Sequence, residues 1–148
     1  LEALKEELRK GQADFGVAFD GDGDRVGFIT GSGEHIPGDY TTALLAQYML
    51  LQHPGEKVVY DAVRSTRRVK EVVEESGGSI IESRVGHTFI KAAMKKENAV
   101  FGGELSGHYY FRDFFYADSG ILAFLMLLAH LSKTKKTLAF PETRTRMP

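Results

Sequence analysis

A short segment, FDGDGDR at 19–25, places three carboxylates at alternate positions and separates them with glycines. Asp20, Asp22 and Asp24 repel one another at this spacing, and the repulsion raises their pKa values unless a cation neutralises them. Hard divalent cations prefer oxygen ligands, and Mg²⁺ commonly binds a few carboxylates together with water or phosphate oxygens. We therefore expect these three aspartates to bind Mg²⁺ and Arg25 to contact a phosphate oxygen beside the metal.

Three other interpretations fit parts of this acidic loop, residues 20–25. A solvated hairpin turn needs one Asp-Gly pair rather than an alternating triplet. An EF-hand loop also begins D-x-D-x-D, but it requires Gly at the sixth and Glu at the twelfth position, where this chain has Arg25 and Gly31. A haloacid-dehalogenase-like phosphatase places a nucleophilic aspartate and a second acidic residue after a hydrophobic strand, and Asp20 and Asp22 satisfy that pattern. The phosphatase stays open as the rival enzyme class.

A second group of polar residues lies about eighty residues further on, in FGGELSGHYYF at 101–111. Glu104, Ser106 and His108 alternate along this recognition loop, residues 104–108, so all three side chains could lie on one side. A carboxylate can accept hydrogen bonds from two vicinal sugar hydroxyls, and a serine hydroxyl can donate or accept. A histidine can transfer a proton near neutral pH. Taken alone, the loop is as compatible with a structural role as with sugar recognition.

Taken together, the two segments resemble the α-D-phosphohexomutase superfamily. Its members carry a metal loop of the form of FDGDGDR and a sugar-recognition loop of the form GE-x-SGH. The resemblance extends through AVRSTRRV at 62–69 and RVGHTFIK at 84–91, so it covers nearly the whole chain. Leu105, between Glu104 and Ser106, is similar to the phosphomannomutase/phosphoglucomutase branch.

This resemblance implies a four-domain enzyme that acts on mannose or glucose 1- and 6-phosphates. A phosphoserine donates its phosphoryl group to the hexose phosphate, and the resulting bisphosphate returns its other phosphate to the serine. The matching positions of this chain, Asp20, Asp22 and Asp24, would hold Mg²⁺ beside that phosphoserine. Arg25 would contact the transferring phosphoryl group.

The resemblance also implies roles for residues outside the acidic loop. Glu104 and Ser106 would bind sugar hydroxyls, and His108 matches a histidine implicated in proton transfer. His87, in RVGH, matches a histidine near the substrate. Arg64 stands where relatives have a lysine or arginine that contacts the ligand.

Two loops of the family have no counterpart in these 148 residues: the serine loop T-A-S-H-N-P and the loop that clamps the non-transferring phosphate. We therefore expect residues 1–38 to be the C-terminal part of the metal-loop domain, 39–140 to be the sugar-recognition domain, and 141–148 to be a linker or tail. The chain would then need the missing domains as partners and would not turn over substrate by itself. A non-catalytic module that binds a metal or a sugar phosphate is the remaining alternative.

The hydrophobic pattern predicts the elements that position both loops. A short helix begins the chain, and β-rich runs at 16–19 and 26–30 flank the acidic loop. Helical patterns from 39, at 66–76 and at 88–97 then alternate with strand-like runs at 57–60, 79–82 and 100–101. This alternation favours a layered α/β/α domain with a mostly parallel mixed sheet, preceded by a helix and a β-hairpin. A final apolar helix, with Asp118 or Ser119 as its N-cap, closes the pattern.

Composition excludes several functions. The formal net charge of -1 provides no global attraction to nucleic acid or to an anionic membrane. The absence of cysteine excludes disulfides, thiolate catalysis and Cys-ligated zinc. The longest apolar stretch, 121–131, is about half of the roughly 20 residues that a bilayer span requires. We expect a folded cytoplasmic protein, with His35, His53 and His130 at the surface or at helix ends.

Overall fold

A computed structural model describes residues 1–63 and 65–139 of the chain. Five α-helices, eight strands and a 3-10 turn at Arg112–Phe114 occur within these residues. The helices are α1 (Glu2–Arg9), α2 (Gly38–Gln52), α3 (Arg67–Glu75), α4 (His87–Glu97) and α5 (Gly120–Thr134). The strands are β1 (Phe15–Phe19), β2 (Val26–Thr30), β3 (His35–Ile36), β4 (Lys57–Asp61), β5 (Ser79–Ser83), β6 (Phe101–Gly103), β7 (Tyr109–Phe111) and β8 (Ala117–Asp118).

The larger sheet has the strand order β5-β4-β6-β7-β8. β4 lies between β5 and β6 and pairs with both in parallel. β7 pairs antiparallel with β6 and with β8, so it runs opposite to the other four strands. This arrangement confirms the predicted α/β class with a mostly parallel mixed sheet.

Two neighbouring glycines of β6 show that helices cover both faces of this sheet. Successive strand residues point to opposite faces. A Cβ on Gly102 would lie 2.7 Å from Met94 Sδ of α4, and a Cβ on Gly103 would lie 2.5 Å from Thr42 Cγ2 of α2. The helices therefore approach β6 too closely for any side chain, and the fold is a three-layer α/β/α arrangement.

The smaller sheet, β1-β2-β3, is antiparallel and carries the acidic loop between β1 and β2. Val26, Phe28 and Ile36 from this sheet are buried in the same hydrophobic cluster as Leu45 of α2 and Leu127 of α5. Each such side chain contributes about 1.5–3 kcal/mol when it is fully buried. Apolar burial therefore holds the hairpin, and with it the acidic loop, against the larger sheet.

Helix α5 begins where the sequence places its cap. Ser119 is the N-cap, and its hydroxyl oxygen accepts a hydrogen bond from the Leu122 backbone N–H at 3.1 Å. Ser119 rather than Asp118 is therefore the capping residue. Within the two described stretches of chain, neither α5 nor any other helix has the length and apolarity needed to cross a membrane.

The surface interpretation is wrong for His130. Its side chain is 4% exposed, and its ring lies 5.7 Å from that of Tyr48 in an edge-on contact. Burial lowers the pKa of His130 below its ordinary value of 6.5, and the nearby Lys136 adds to the shift. Arg68 and Glu75 line the same crevice.

We predict that His130→Phe becomes increasingly stabilising, relative to wild type, as the pH falls. His130 binds a proton less readily in the folded chain than in the unfolded chain. Its contribution to the free energy of unfolding is therefore fully present above about pH 6.5 and is lost as the pH falls below that value. Phe can pack beside Tyr48 but cannot bind that proton. Urea titrations between about pH 8 and pH 5.5 should show the difference in unfolding free energy growing by at most about 1.4 kcal/mol per pH unit.

The matched control is His35→Phe, which replaces a histidine on the exposed side of β3. A difference between His130→Phe and wild type that stays constant across this pH range would contradict the assignment.

Candidate functional site

The acidic loop is a tight connection between two paired strands. Phe19 pairs with Val26 in the antiparallel register, so the chain must reverse within residues 20–25. The Gly23 N–H donates to the Asp20 carbonyl at 3.3 Å, and Gly23 has a φ of +74°, which L-residues with side chains rarely adopt. The reversal packs the three aspartates together: one oxygen from each lies within 4.8 Å of the others.

Arg25 compensates part of this negative charge. Its Nε donates to Asp20 Oδ2 at 2.8 Å, and its backbone N–H donates to Asp20 Oδ1 at 3.2 Å. The hydrogen-bonded guanidinium holds the pKa of Asp20 well below its usual range. Asp20 is therefore a carboxylate with both oxygens already engaged.

Asp24 carries a buried carboxylate oxygen, Oδ1, without a hydrogen-bond partner among the described residues. Burial, together with the nearby Asp20 and Asp22 carboxylates, raises the pKa of Asp24. Such an atom costs free energy unless a proton or a cation meets it.

The residues present fit a divalent cation. All three side chains offer oxygen ligands, as Mg²⁺ prefers, and the buried Asp24 Oδ1 is available to accept one bond. Asp24, His108 and Asp118 form a second group with ligand atoms within 4.8 Å, but Lys91 already pairs with Asp118 at 3.1 Å. The acidic loop offers three carboxylates rather than two and is therefore the better candidate for a hard divalent cation.

The recognition loop is a turn between β6 and β7 in which three polar side chains share one side. Ser106 Oγ donates to Glu104 Oε2 at 2.9 Å and lies 3.0 Å from His108 Nδ1. The carboxylate can only accept, so Ser106 uses its proton on Glu104 and accepts from His108 Nδ1–H. His108 Nε2 then remains the nitrogen available for proton exchange.

The two loops meet directly. His108 Nε2 lies 3.5 Å from Asp24 Oδ2, and the Val26 N–H donates to the Gly107 carbonyl at 3.2 Å. Gly107 has a φ of +89°, and a Cβ there would lie 2.9 Å from the Val26 carbonyl oxygen. The backbones therefore pack without room for a side chain, and the acidic and recognition loops form one site.

Sequence reasoning missed the residues behind the recognition loop. The Tyr110 hydroxyl donates to Glu104 Oε1 at 3.0 Å, and its ring stacks near that of His108 with a centroid distance of 6.3 Å. Lys91 Nζ lies 5.5 Å from the Tyr110 ring centroid. Burial raises the pKa of Tyr110, so its hydroxyl stays a donor. The signal was present, since Tyr110 continues the alternation of Glu104, Ser106 and His108.

His87, which is expected in the site, does not join these contacts. His87 is the first residue of α4. Within the described residues it forms no hydrogen bond or ion pair with either loop. Arg64 lies outside the described residues. Their assignment to ligand binding stays a prediction.

The chain is similar to known phosphohexose mutases. Residues 37–140 match the family model described as phosphoglucomutase/phosphomannomutase, alpha/beta/alpha domain III. It is 45% identical over 138 residues to a protein named phosphohexose mutases from Xanthomonas campestris pv. campestris (strain B100), covering 93% of this chain and 31% of that protein. It is 44% identical over 135 residues to a phosphomannomutase of Salmonella typhimurium (strain LT2), covering 91% of this chain and 29% of that protein.

A solved structure shows the same similarity. The phosphoglucomutase/phosphomannomutase family protein from Burkholderia thailandensis superimposes with a TM-score of 0.79 at 36% identity, covering 88% of this chain and 29% of that chain. The chain thus spans less than a third of the length of each of these relatives.

We predict that Tyr110→Phe destabilises the chain by about 1–3 kcal/mol, because the buried Glu104 loses a hydrogen bond that water cannot replace. The matched control is Tyr116→Phe, whose hydroxyl bonds Asn98 Oδ1 at the surface and should cost less than about 0.5 kcal/mol. Urea denaturation of the purified variants measures both changes. Equal losses for the two variants would show that the Tyr110 hydroxyl does not support Glu104.

Proposed function

The chain belongs to the phosphoglucomutase/phosphomannomutase family, and we propose that it supplies the metal-binding and sugar-recognition loops of an enzyme that interconverts hexose 1-phosphates and hexose 6-phosphates. Mannose and glucose phosphates are the proposed substrates. The observation that carries the proposal is the contact between the two loops, where His108 Nε2 lies 3.5 Å from Asp24 Oδ2. A cation-binding carboxylate and a proton-transfer group thus stand side by side.

Asp20, Asp22 and Asp24 are the proposed Mg²⁺ ligands. When bound, the ion neutralises negative charge on a transferring phosphoryl group. Both oxygens of Asp20 bond Arg25, so binding either uses their remaining lone pairs or releases the guanidinium. Release would free Arg25 to hold a phosphoryl oxygen.

The recognition loop is proposed to bind sugar hydroxyls through Ser106 and Glu104. Ser106 is exposed, whereas Glu104 is 4% exposed and accepts from both Ser106 and Tyr110. The serine hydroxyl therefore meets the sugar first. The buried carboxylate behind it orients that hydroxyl and keeps lone pairs for a second sugar hydroxyl.

His108 is the proposed proton-transfer group. Its Nδ1 proton is committed to Ser106, so Nε2, which lies 3.5 Å from Asp24 Oδ2, is the nitrogen proposed to exchange a proton with the sugar. As the sugar oxygen forms its bond to phosphorus, its proton passes to Nε2, the bond from phosphorus to the phosphoserine oxygen breaks, and the serine oxygen takes up a proton. In the second transfer the serine oxygen loses that proton as it bonds the other phosphoryl group of the bisphosphate, and Nε2 returns its proton to the sugar oxygen that this group leaves.

The alternatives fit the site less well. A haloacid-dehalogenase-like phosphatase needs a free nucleophilic carboxylate at Asp20, but Arg25 bonds both of its oxygens. Family membership also points to a mutase. A module that binds metal or sugar phosphate without catalysis would use the same two loops, and turnover separates it from an enzyme.

The proposed reaction needs two loops in addition to the acidic and recognition loops. The phosphoserine and the clamp for the second phosphate belong to segments that the 148 residues do not contain. We propose that residues 1–38 and 39–140 correspond to parts of the family's second and third domains, and that the 148 residues alone do not isomerise hexose phosphates. Cytoplasmic localisation stays a prediction, and the absence of cysteine is compatible with it.

The test is an NMR titration of the 148-residue chain with Mg²⁺ and then with glucose 1-phosphate. Mg²⁺ should shift amide signals of residues 20–25, and the sugar phosphate should shift those of 104–108. Asp24→Asn should weaken Mg²⁺ binding at least about tenfold, because it removes one of three charged ligands. Asp14→Asn, which changes an exposed carboxylate just before β1, is the matched control.

Unchanged amide chemical shifts in both loops at millimolar ligand would contradict the proposed binding roles. The same samples should yield no glucose 6-phosphate, and measurable isomerisation by the purified chain would overturn the claim that further segments are required.

A further inference from the structure

Asp61 is a buried charged residue without a role in the function proposed above. It is the last residue of β4, and it is 1% exposed. Burying a carboxylate is costly unless hydrogen bonds replace its water. A carboxylate buried at such a position therefore implies nearby hydrogen-bond donors.

Two of those donors come from different loops. Asp61 Oδ2 accepts a hydrogen bond from the Leu105 backbone N–H at 3.0 Å, and Asp61 Oδ1 accepts from Ser65 Oγ at 3.2 Å. Leu105 is the recognition-loop residue between Glu104 and Ser106. Ser65 lies between β4 and α3, in the segment that also contains Arg64. One carboxylate thus joins the two segments expected to contact a sugar phosphate.

The N-terminus of α2 closes the same junction from the other side. Asp39 Oδ2 accepts from the Thr66 backbone N–H at 3.3 Å, and its Oδ1 accepts from the Tyr40 N–H at 2.9 Å. A Cβ on Gly38 would collide with the carbonyl oxygen of Leu105, so the recognition loop rests directly on this helix end. Both loops are therefore fixed to shared, rigid elements.

We propose that Asp61 is a positioning residue that locks the β4–α3 loop (residues 62–66) and the recognition loop into one sugar-phosphate-binding unit. The ligand class rests on the proposed function, whereas the coupling rests on the hydrogen bonds alone. A carboxylate is suited to this role because each oxygen serves a different loop, and hydrogen bonds to a charged acceptor are the stronger kind. Preorganised loops lose less entropy when a ligand binds.

The experiment compares Asp61→Ala and Ser65→Ala with wild type in the 148-residue chain. Amide hydrogen exchange followed by NMR reports each loop directly. Asp61→Ala should speed exchange of the Leu105 amide about tenfold to a hundredfold, because that N–H loses its charged acceptor, and it should also speed exchange in the β4–α3 loop. Amides of β4 such as that of Val59, which is buried, should keep their wild-type rates.

The affinity for glucose 1-phosphate separates a coupling role from a local structural one. Ser65→Ala removes only the hydrogen bond from the β4–α3 loop to Asp61. The exchange rate of the Leu105 amide should therefore stay within about twofold of wild type, while the affinity for glucose 1-phosphate falls several-fold. Asp61→Ala should weaken it about tenfold or more. Asp113→Asn, which changes a carboxylate 69% exposed at the surface, is the control and should change neither measurement.

Should Asp61→Ala fail to fold, Asp61→Asn replaces it, because a neutral amide lacks the charge that strengthens the carboxylate's hydrogen bonds; faster exchange in one or both loops is then expected. Wild-type exchange in both loops of a folded Asp61 variant would overturn the proposal, as would wild-type affinity in both Asp61→Ala and Ser65→Ala. Failure of the wild-type chain to bind glucose 1-phosphate would count against the proposed function instead, and the exchange rates would still decide the coupling.

Discussion

The site must hold together three carboxylates that repel one another. Asp20, Asp22 and Asp24 bring ligand oxygens within 4.8 Å of one another, and one oxygen of Asp24 is buried without a hydrogen-bond partner in the described residues. Arg25 relieves the repulsion at Asp20, and His108 stands beside Asp24. The remaining deficit of positive charge is the reason why we propose the loop as a cation site rather than an ordinary turn.

The fold holds these charges together by close backbone packing. The N-terminus of α5 supports the acidic loop, because the Gly120 N–H donates to the Gly23 carbonyl at 3.1 Å and a Cβ on Gly120 would lie 2.8 Å from that oxygen. The bond from Val26 to Gly107 fixes the recognition loop on the opposite side. The residues that flank both loops pack into one hydrophobic cluster, and this packing fixes the position of one loop relative to the other.

Local pattern was sufficient to predict most of this arrangement. Alternation of Asp and Gly between β-rich runs placed the acidic loop, and alternation of Glu104, Ser106 and His108 placed three side chains on one side, because both features depend only on neighbouring residues. Strands of two or three residues, such as β3 and β7, are too short to show a period. The reversed direction of β7 follows from the turn at 104–108, which hydrophobicity alone does not encode.

Contacts between distant residues were beyond sequence reasoning. The hydrogen bond from Leu105 to Asp61 spans 44 residues, and the burial of His130 depends on which side of α5 faces α2. Tyr110 is buried, and its hydroxyl bonds Glu104. In each case the residue type was compatible with several positions, and only the tertiary arrangement selected one.

We propose that the acidic and recognition loops form one cation-dependent site. Paramagnetic relaxation by Mn²⁺, substituted for Mg²⁺, tests this arrangement, because broadening falls steeply with distance from the ion. Amide signals of residues 20–25 and 104–108 should broaden together at the same low Mn²⁺ concentration, and excess Mg²⁺ should reverse both. Broadening of the acidic loop alone, or broadening that Mg²⁺ does not reverse, would contradict it.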